Sequence, residues 1–72
     1  MTDHDFAQRT LLGLLLEEHP SMLTVEDIER RLSDVPRLRE ALDVLVRDGL
    51  ARRLGDLIGA SRAAIRARQL TT

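Results

Sequence analysis

The 72 residues form a chain of 8.1 kDa with a formal net charge of −1, and its eleven basic residues are all arginine. The absence of cysteine excludes disulfides and thiolate metal sites, and the two isolated histidines, His4 and His19, offer no cluster of metal ligands. We expect a single domain over residues 1–72, without metal or cofactor, that is stabilised by packing within the chain or with a partner chain.

The charges are divided unevenly along the chain. Up to Pro36 there are three arginines and eight acidic residues, a balance of −5; from Arg37 onward there are eight arginines and four acidic residues, a balance of +4. Any positive field therefore belongs to the second half. The apolar run LLGLLL is shorter than the roughly 20 residues of a membrane span and lacks the flanks of a secretory signal, so we expect a soluble, cytoplasmic protein.

A first helix is predicted from about His4 to His19, because Pro20 cannot continue a helix. Leu12 and Leu16 lie away from the side predicted to face the core, which indicates a second contact surface. Gly13 lies inside this helix, where glycine costs about 1 kcal/mol relative to alanine, and close packing against another helix would explain it. The predicted core side consists of Ala7, Leu11, Leu14 and Leu15.

A second, short helix is predicted over about Val25 to Ser33. Thr24 is its expected N-cap, with Asp27 three residues later in a weaker form of the capping box. Before it, Met22 and Leu23 are candidates for a minimal strand.

A third helix is predicted to begin near Val35, with Asp34 as N-cap and Pro36 in the first turn. Gly49 is expected to end it from the C′ position. Its apolar residues recur at helical spacing and predict one buried face, made of Leu38, Ala41, Leu42 and Leu45.

A hairpin is predicted next, with strands over Leu50 to Leu54 and Leu57 to Ala60. Gly55-Asp56 between them suits a type II′ turn, because glycine tolerates the positive φ of the first central position. Ser61 is expected to cap a last helix, RAAIRARQL, which has a thin apolar surface among arginines.

Three helices, a hairpin and a closing helix, with the run LREALDVLVRDGLARRLGD, resemble a winged helix-turn-helix domain of the bacterial transcription-regulator type. The resemblance covers nearly the whole chain and is strongest where a helix ending in Asp-Gly-Leu leads into a basic strand and a Gly-Asp turn. It implies a mainly α fold with a small two-stranded β-hairpin, the wing. The third helix would lie in the major groove and the wing beside the phosphate backbone. Members of this superfamily bind DNA, RNA or protein.

The resemblance makes the charged residues of the third helix and the wing the candidate DNA-binding residues. Arginine can contact guanine, a carboxylate can accept from cytosine, and a wing arginine needs only to reach a phosphate. The candidates are Arg37, Arg39, Glu40, Asp43, Arg47, Arg52 and Arg53.

For each group of these charged residues, an interpretation without DNA binding also stays open. Arg39 with Asp43, and Asp43 with Arg47, have the i, i+4 spacing of ion pairs on a solvated helix. Arg52 and Arg53 also suit a charged edge strand that resists aggregation. The arginines of the last helix either face the duplex or pair with acidic residues of the first half; they are Arg62, Arg66 and Arg68.

No catalytic motif is found. Glu17 and Glu18 are adjacent and therefore point about 100° apart on a helix, and no glycine-rich phosphate loop exists, so we expect no enzyme. The predicted function is sequence-specific binding of double-stranded DNA by a homodimeric transcription regulator, with Leu12, Leu16 and the C-terminal helix forming the dimer. The alternative is a winged-helix protein-interaction module that does not bind DNA, because the third helix carries acids and the net charge is −1.

Overall fold

The computed structural model describes the backbone of residues 3–71 and the side chains of residues 5–70. Within these residues the fold is mainly α with a small antiparallel sheet, which confirms the predicted class, although the sheet has three strands and not two. The elements in chain order are α1 (Asp3–Glu18), β1 (Leu23–Thr24), α2 (Val25–Arg31), α3 (Leu38–Arg47), β2 (Ala51–Leu54), β3 (Leu57–Ala60) and α4 (Arg62–Thr71).

Helix α1 packs on α3 and β3 with the side that the sequence predicts. Ala7, Leu11 and Leu15 are buried on this side, whereas Leu12 and Leu16 are half-buried against the same core. Gly13 is exposed, and a Cβ at this position would meet no atom of another element within 4 Å. The expectation that Gly13 packs closely against another helix is therefore wrong within the described chain.

Helix α2 begins as its capping signal predicts. The backbone N–H of Asp27 donates to Oγ1 of Thr24 at 3.1 Å, which satisfies one of the free donors at the helix N-terminus. Strand β1 occupies Leu23–Thr24, one residue later than predicted, because Thr24 both pairs with β3 and caps α2. This strand of two residues is long enough to form the third strand of the sheet.

Helix α3 begins at Leu38, so the prediction of a start near Val35 with Asp34 as N-cap is wrong. The N–H of Val35 donates to the carbonyl of Leu32 at 3.0 Å, and Val35 packs half-buried against the core, which extends the turn after α2. Arg37 then becomes the N-cap in the left-handed region, at φ +56° and ψ +35°, without a side-chain cap. A helix from Val35 would remove this turn and its packing.

Gly49 ends α3 as predicted, with φ +80°. Its N–H donates to the carbonyl of Val46 at 3.2 Å, and the N–H of Leu50 donates to that of Leu45 at 2.9 Å. These two bonds define a Schellman motif, which requires the left-handed conformation that glycine adopts without strain. The chain therefore turns sharply from α3 into β2.

The sheet has the antiparallel order β1-β3-β2. Gly55 has φ +62° and Asp56 has no positive φ, as a type II′ turn requires. Leu23 and Arg53 both face Ile58 across the central strand. Ile58 is fully buried and joins the sheet to the helices, so this face of the sheet closes the core.

Ser61 joins the end of α3 to the start of α4. Its Oγ accepts from the N–H of Ala64 at 3.2 Å, as the predicted N-cap should, and donates to the carbonyl of Gly49 at 2.5 Å. The bond from Ala64 is buried and the bond to Gly49 is partly buried, so both are at least partly shielded from water. Across residues 3–71, none of the helices has the length and apolar character needed to cross a bilayer.

Candidate nucleic-acid interface

Helix α3 separates its side chains into a buried face and a charged face. Leu38, Ala41, Leu42 and Leu45 are buried, as the periodicity predicts. The candidates of α3 and of its N-cap are all exposed, and they are Arg37, Arg39, Glu40, Asp43 and Arg47. The amphipathic pattern of the sequence thus predicts correctly that these charged residues are exposed.

Arg39 and Arg47 contact carboxylates other than that of Asp43, the partner that the i, i+4 spacing predicts. Arg39 pairs with Glu29 of α2, with 2.9 Å between Nη2 and Oε1. Arg47 Nε lies 3.9 Å from Oδ1 of Asp48. Asp43 forms no ion pair among the described residues, so the i, i+4 pairs of Asp43 with Arg39 and Arg47 are wrong. The reason is that Glu29 of α2 lies closer to the Arg39 guanidinium than Asp43 of α3 does.

Arg37 extends the charged face to the first residue before α3. Its Nη1 lies 3.8 Å from Oε2 of Glu40, and both side chains are more than half exposed. An ion pair of this length in water contributes about 0–1 kcal/mol, so it adds little to the stability of the fold.

The two hairpin arginines are both exposed but lie on opposite faces of the sheet. Arg53 is opposite the buried Ile58, whereas Arg52 is opposite Gly59, where a Cβ would lie 3.1 Å from the Met22 side chain. Residues opposite each other in antiparallel strands share a face. Arg53 therefore belongs to the face that α3 borders, and Arg52 to the face that Met22 covers.

Arg53 and α3 meet at a shallow depression. Arg53 is held near the turn, because its Nε donates to the carbonyl of Gly55 at 3.1 Å. Two arginines and two carboxylates surround an apolar floor, and the lining residues are Val25, Arg39, Leu42, Asp43, Arg53 and Asp56. The depression thus offers both hydrogen-bond donors and acceptors to a ligand that spans α3 and the hairpin.

Two residues of this surface were not among the sequence candidates. Glu29 belongs to α2 and reaches the site through the hydrogen bonds that it accepts from Arg39 of α3. Asp56 lies in the hairpin turn, and its carbonyl accepts from the N–H of Val25 at 3.2 Å, which fixes the turn against the start of α2. The sequence signal for Asp56 was the turn itself, whereas no periodicity within one helix identifies Glu29.

Two acidic residues of the first half form ion pairs with arginines of α2. Glu18 contacts Arg31, and Asp27 lies 3.5 Å from Arg30. On α4, Nη1 of Arg68 donates to the carbonyl of Leu16 at 2.9 Å and so attaches this helix to the end of α1. Part of the acidic surface of the first half is thus paired within the described chain.

The described side chains contain no group of three or more His, Asp or Glu that could hold a metal ion. Comparisons with protein-family models, with curated proteins and with solved structures found no match for this chain.

Proposed function

We propose that this chain is a winged helix-turn-helix protein that binds double-stranded DNA in a sequence-specific manner, as a homodimer, and regulates transcription in the bacterial cytoplasm. In this proposal α2 and α3 form the helix-turn-helix, α3 enters the major groove, and the β2–β3 hairpin is the wing. One observation carries it: the exposed face of α3 and the wing residue Arg53 border the same depression.

Each candidate side chain has a role that its chemistry allows. Arg39 and Arg47 carry guanidinium groups that can bind guanine O6 and N7 as a pair of donors, and Asp43, free of ion pairs in the described chain, can accept from cytosine N4. Arg37 stands at the N-terminal end of α3, where the helix dipole also favours a phosphate. Arg53 contacts the backbone beside the groove.

The ion pairs of α3 compete with DNA for the arginines, so they lower the affinity for DNA of any sequence. They also increase the difference in affinity between the correct sequence and others. Arg39 leaves Glu29 before it can bind a base, and Glu40 lies near the phosphates without attracting them. Both partners of the Arg39–Glu29 pair are exposed, so the exchange costs about 1 kcal/mol or less. We therefore expect weak binding to arbitrary DNA and tighter binding where acceptors on the bases replace the carboxylates.

A second candidate function is a protein-interaction module with the same fold. The observation that favours it is the pairing of the three arginines of this face with carboxylates, which leaves the surface almost neutral. A neutral, hydrogen-bonding surface suits a polar protein partner better than a polyanion.

Salt-dependent binding to a mixed-sequence duplex, followed by fluorescence anisotropy, separates the two functions. DNA binding predicts that log K falls linearly with log salt, with a slope of about −0.9 for each phosphate that an arginine neutralises. No binding at low salt would reject the DNA proposal and leave the protein-interaction module.

A further inference from the structure

One face of α1 points away from the core and has no partner among the described residues. Its residues recur at three- and four-residue intervals, so they lie on the same side of the helix. All of them are exposed, and they are Phe6, Arg9, Gly13 and Glu17. We call this set the Gly13 face.

Gly13 is an unusual choice for the centre of an exposed helix. Glycine lowers helix stability relative to alanine, and the open space around this position means that an alanine would fit without any clash. Nothing inside the described chain therefore requires glycine here. A second helix that crosses α1 at this point would require it, because the missing Cβ lets two backbones approach closely.

The Gly13 face is complementary to itself when two copies cross in antiparallel orientation at Gly13. A residue four places before Gly13 then faces the residue four places after it in the other copy. Arg9 and Glu17 have this relation, so the two-fold axis brings each arginine to a glutamate twice. Neither side chain forms a hydrogen bond or ion pair among the described residues, so both are available.

Phe6 adds an apolar group to the same face. It lies seven residues before Gly13, about two helical turns away, and leaves 48% of its surface exposed. In the antiparallel crossing its phenyl ring lies beyond the ion pair that Arg9 forms, near the C-terminal end of the other copy's α1.

We propose that two copies of this chain dimerise through their Gly13 faces, with the α1 helices antiparallel and crossing at Gly13. The proposal deepens the homodimer of the proposed function, and it replaces Leu12 and Leu16, which are already half-buried against the core, as the main contact. The opposite side of α1 packs on α3. The dimer therefore leaves the charged face of α3 and the hairpin uncovered.

The exposed face of α4 suits a second copy less well. Leu70 is 80% exposed there, but Arg62 and Arg66 line the same surface. The described part of α4 contains no acidic residue, so two copies of this face would place arginines against arginines. Charge complementarity therefore selects α1 over α4.

Because one helix from each copy supplies the contact, its area falls below the roughly 800 Å² per partner that stable complexes bury. The dimer is accordingly expected to dissociate in the micromolar range. Sedimentation across this range should show monomer and dimer in rapid exchange.

Cysteine variants test the crossing directly, because the natural chain has no cysteine. In the double variant Arg9→Cys/Glu17→Cys the sulfurs of the two copies face each other on both sides of the crossing, although within one chain they lie eight residues apart on α1, and mild oxidation should convert most of the protein to a covalent dimer. Ala67→Cys places the same group at an exposed position of α4 and should stay monomeric at the same concentration. Equal cross-linking of the two variants, or faster cross-linking of Ala67→Cys, would overturn the proposal.

A charge swap tests the ion pairs. Arg9→Glu alone and Glu17→Arg alone should each weaken the dimer at least tenfold in sedimentation, and the double variant should restore it to within about threefold of the natural chain. Glu26→Arg, the same change at an exposed position of α2, should leave dimerisation unchanged. A natural chain that stays monomeric, or a double variant no better than the singles, would reject the Gly13 interface.

DNA binding is measured separately on the monomeric Glu17→Arg variant with a duplex too short for two copies. Because the substitution raises the net charge by two, binding at least as tight as that of the natural chain would show that the DNA surface and the dimer surface are independent. A natural chain that stays monomeric but binds DNA contradicts only the Gly13 interface, and a natural chain that dimerises but does not bind DNA contradicts only the DNA proposal.

Discussion

The guanidinium of Arg39 donates two hydrogen bonds to one carboxylate oxygen of Glu29, from Nη2 at 2.9 Å and from Nε at 3.2 Å. This contact joins α3 to α2 at the edge of the candidate DNA-binding surface. The arginine best placed beside Arg53 is thus held by an acid of the neighbouring helix. Any ligand of this surface competes with Glu29.

Glu29→Gln should raise the affinity for mixed-sequence DNA at low salt by up to about fivefold, because it frees Arg39 from an exposed ion pair of about 1 kcal/mol or less. The free energy of unfolding should change by less than about 1 kcal/mol for the same reason. Anisotropy titration and urea denaturation measure the two effects.

Glu26→Gln provides the matched control for Glu29→Gln. Glu26 lies on the same helix and is exposed, and it forms no ion pair among the described residues. The net charge changes equally in both variants, so an equal gain in affinity would mean that Arg39 has no special role.

Arg53→Ala should weaken DNA binding and reduce the magnitude of the salt slope by about 0.9, the contribution of one phosphate contact. Arg52→Ala is the control, since it removes the same side chain from the other face of the sheet and should change the slope less. Sequence preference should survive both changes, because backbone contacts do not read bases. A larger loss with Arg52→Ala would place the wrong face of the hairpin against the duplex.

Arg37→Gly should stabilise the fold by about 0.5 kcal/mol. The left-handed conformation costs a non-glycine residue about 1–2 kcal/mol, and the extra chain entropy of glycine offsets about 0.5–1 kcal/mol of the relief. The same variant should bind DNA more weakly, since it loses the charge before α3.

Arg66→Gly tests whether the left-handed backbone of Arg37 is the cause of the stabilisation expected for Arg37→Gly. Arg66 lies inside α4 with helical geometry, so its replacement should destabilise the fold by about 1 kcal/mol. Thermal denaturation of the two variants should therefore show shifts of opposite sign, and two shifts of the same sign would argue against strain at Arg37.

Ser61→Ala should lower the free energy of unfolding by about 2 kcal/mol. It removes the cap of α4 and the donor of the partly buried hydrogen bond to the carbonyl of Gly49. Ser33→Ala, at an exposed turn, should have an effect within about 0.5 kcal/mol. Denaturant unfolding compares them, and similar losses would show that the Ser61 bonds contribute little.

Local signals in the sequence predicted much of this fold. Gly49 and Gly55 stand where the backbone has positive φ, and Thr24 and Ser61 stand where a helix needs an acceptor. These requirements involve residues within a few positions of each other, so the sequence alone expresses them.

Features that depend on distant contacts were not predictable in this way. The late start of α3 follows from the packing of Val35, which overrides the favourable N-cap chemistry of Asp34. Glu29 and Arg39 belong to different helices, ten residues apart, so they approach each other only in the folded chain. Strand alternation implied that Arg52 and Arg53 lie on opposite faces of the sheet. Which of the two faces borders α3 could be known only from the sheet register.

A backbone-amide chemical-shift titration of the full chain with a short mixed-sequence duplex at low salt tests the central claim most directly. DNA binding through the proposed surface predicts the largest perturbations along α3 and the β2–β3 hairpin, with Arg53 affected more than Arg52, and their disappearance at high salt. Perturbations confined to α1 and α4, or none at low salt, would contradict it.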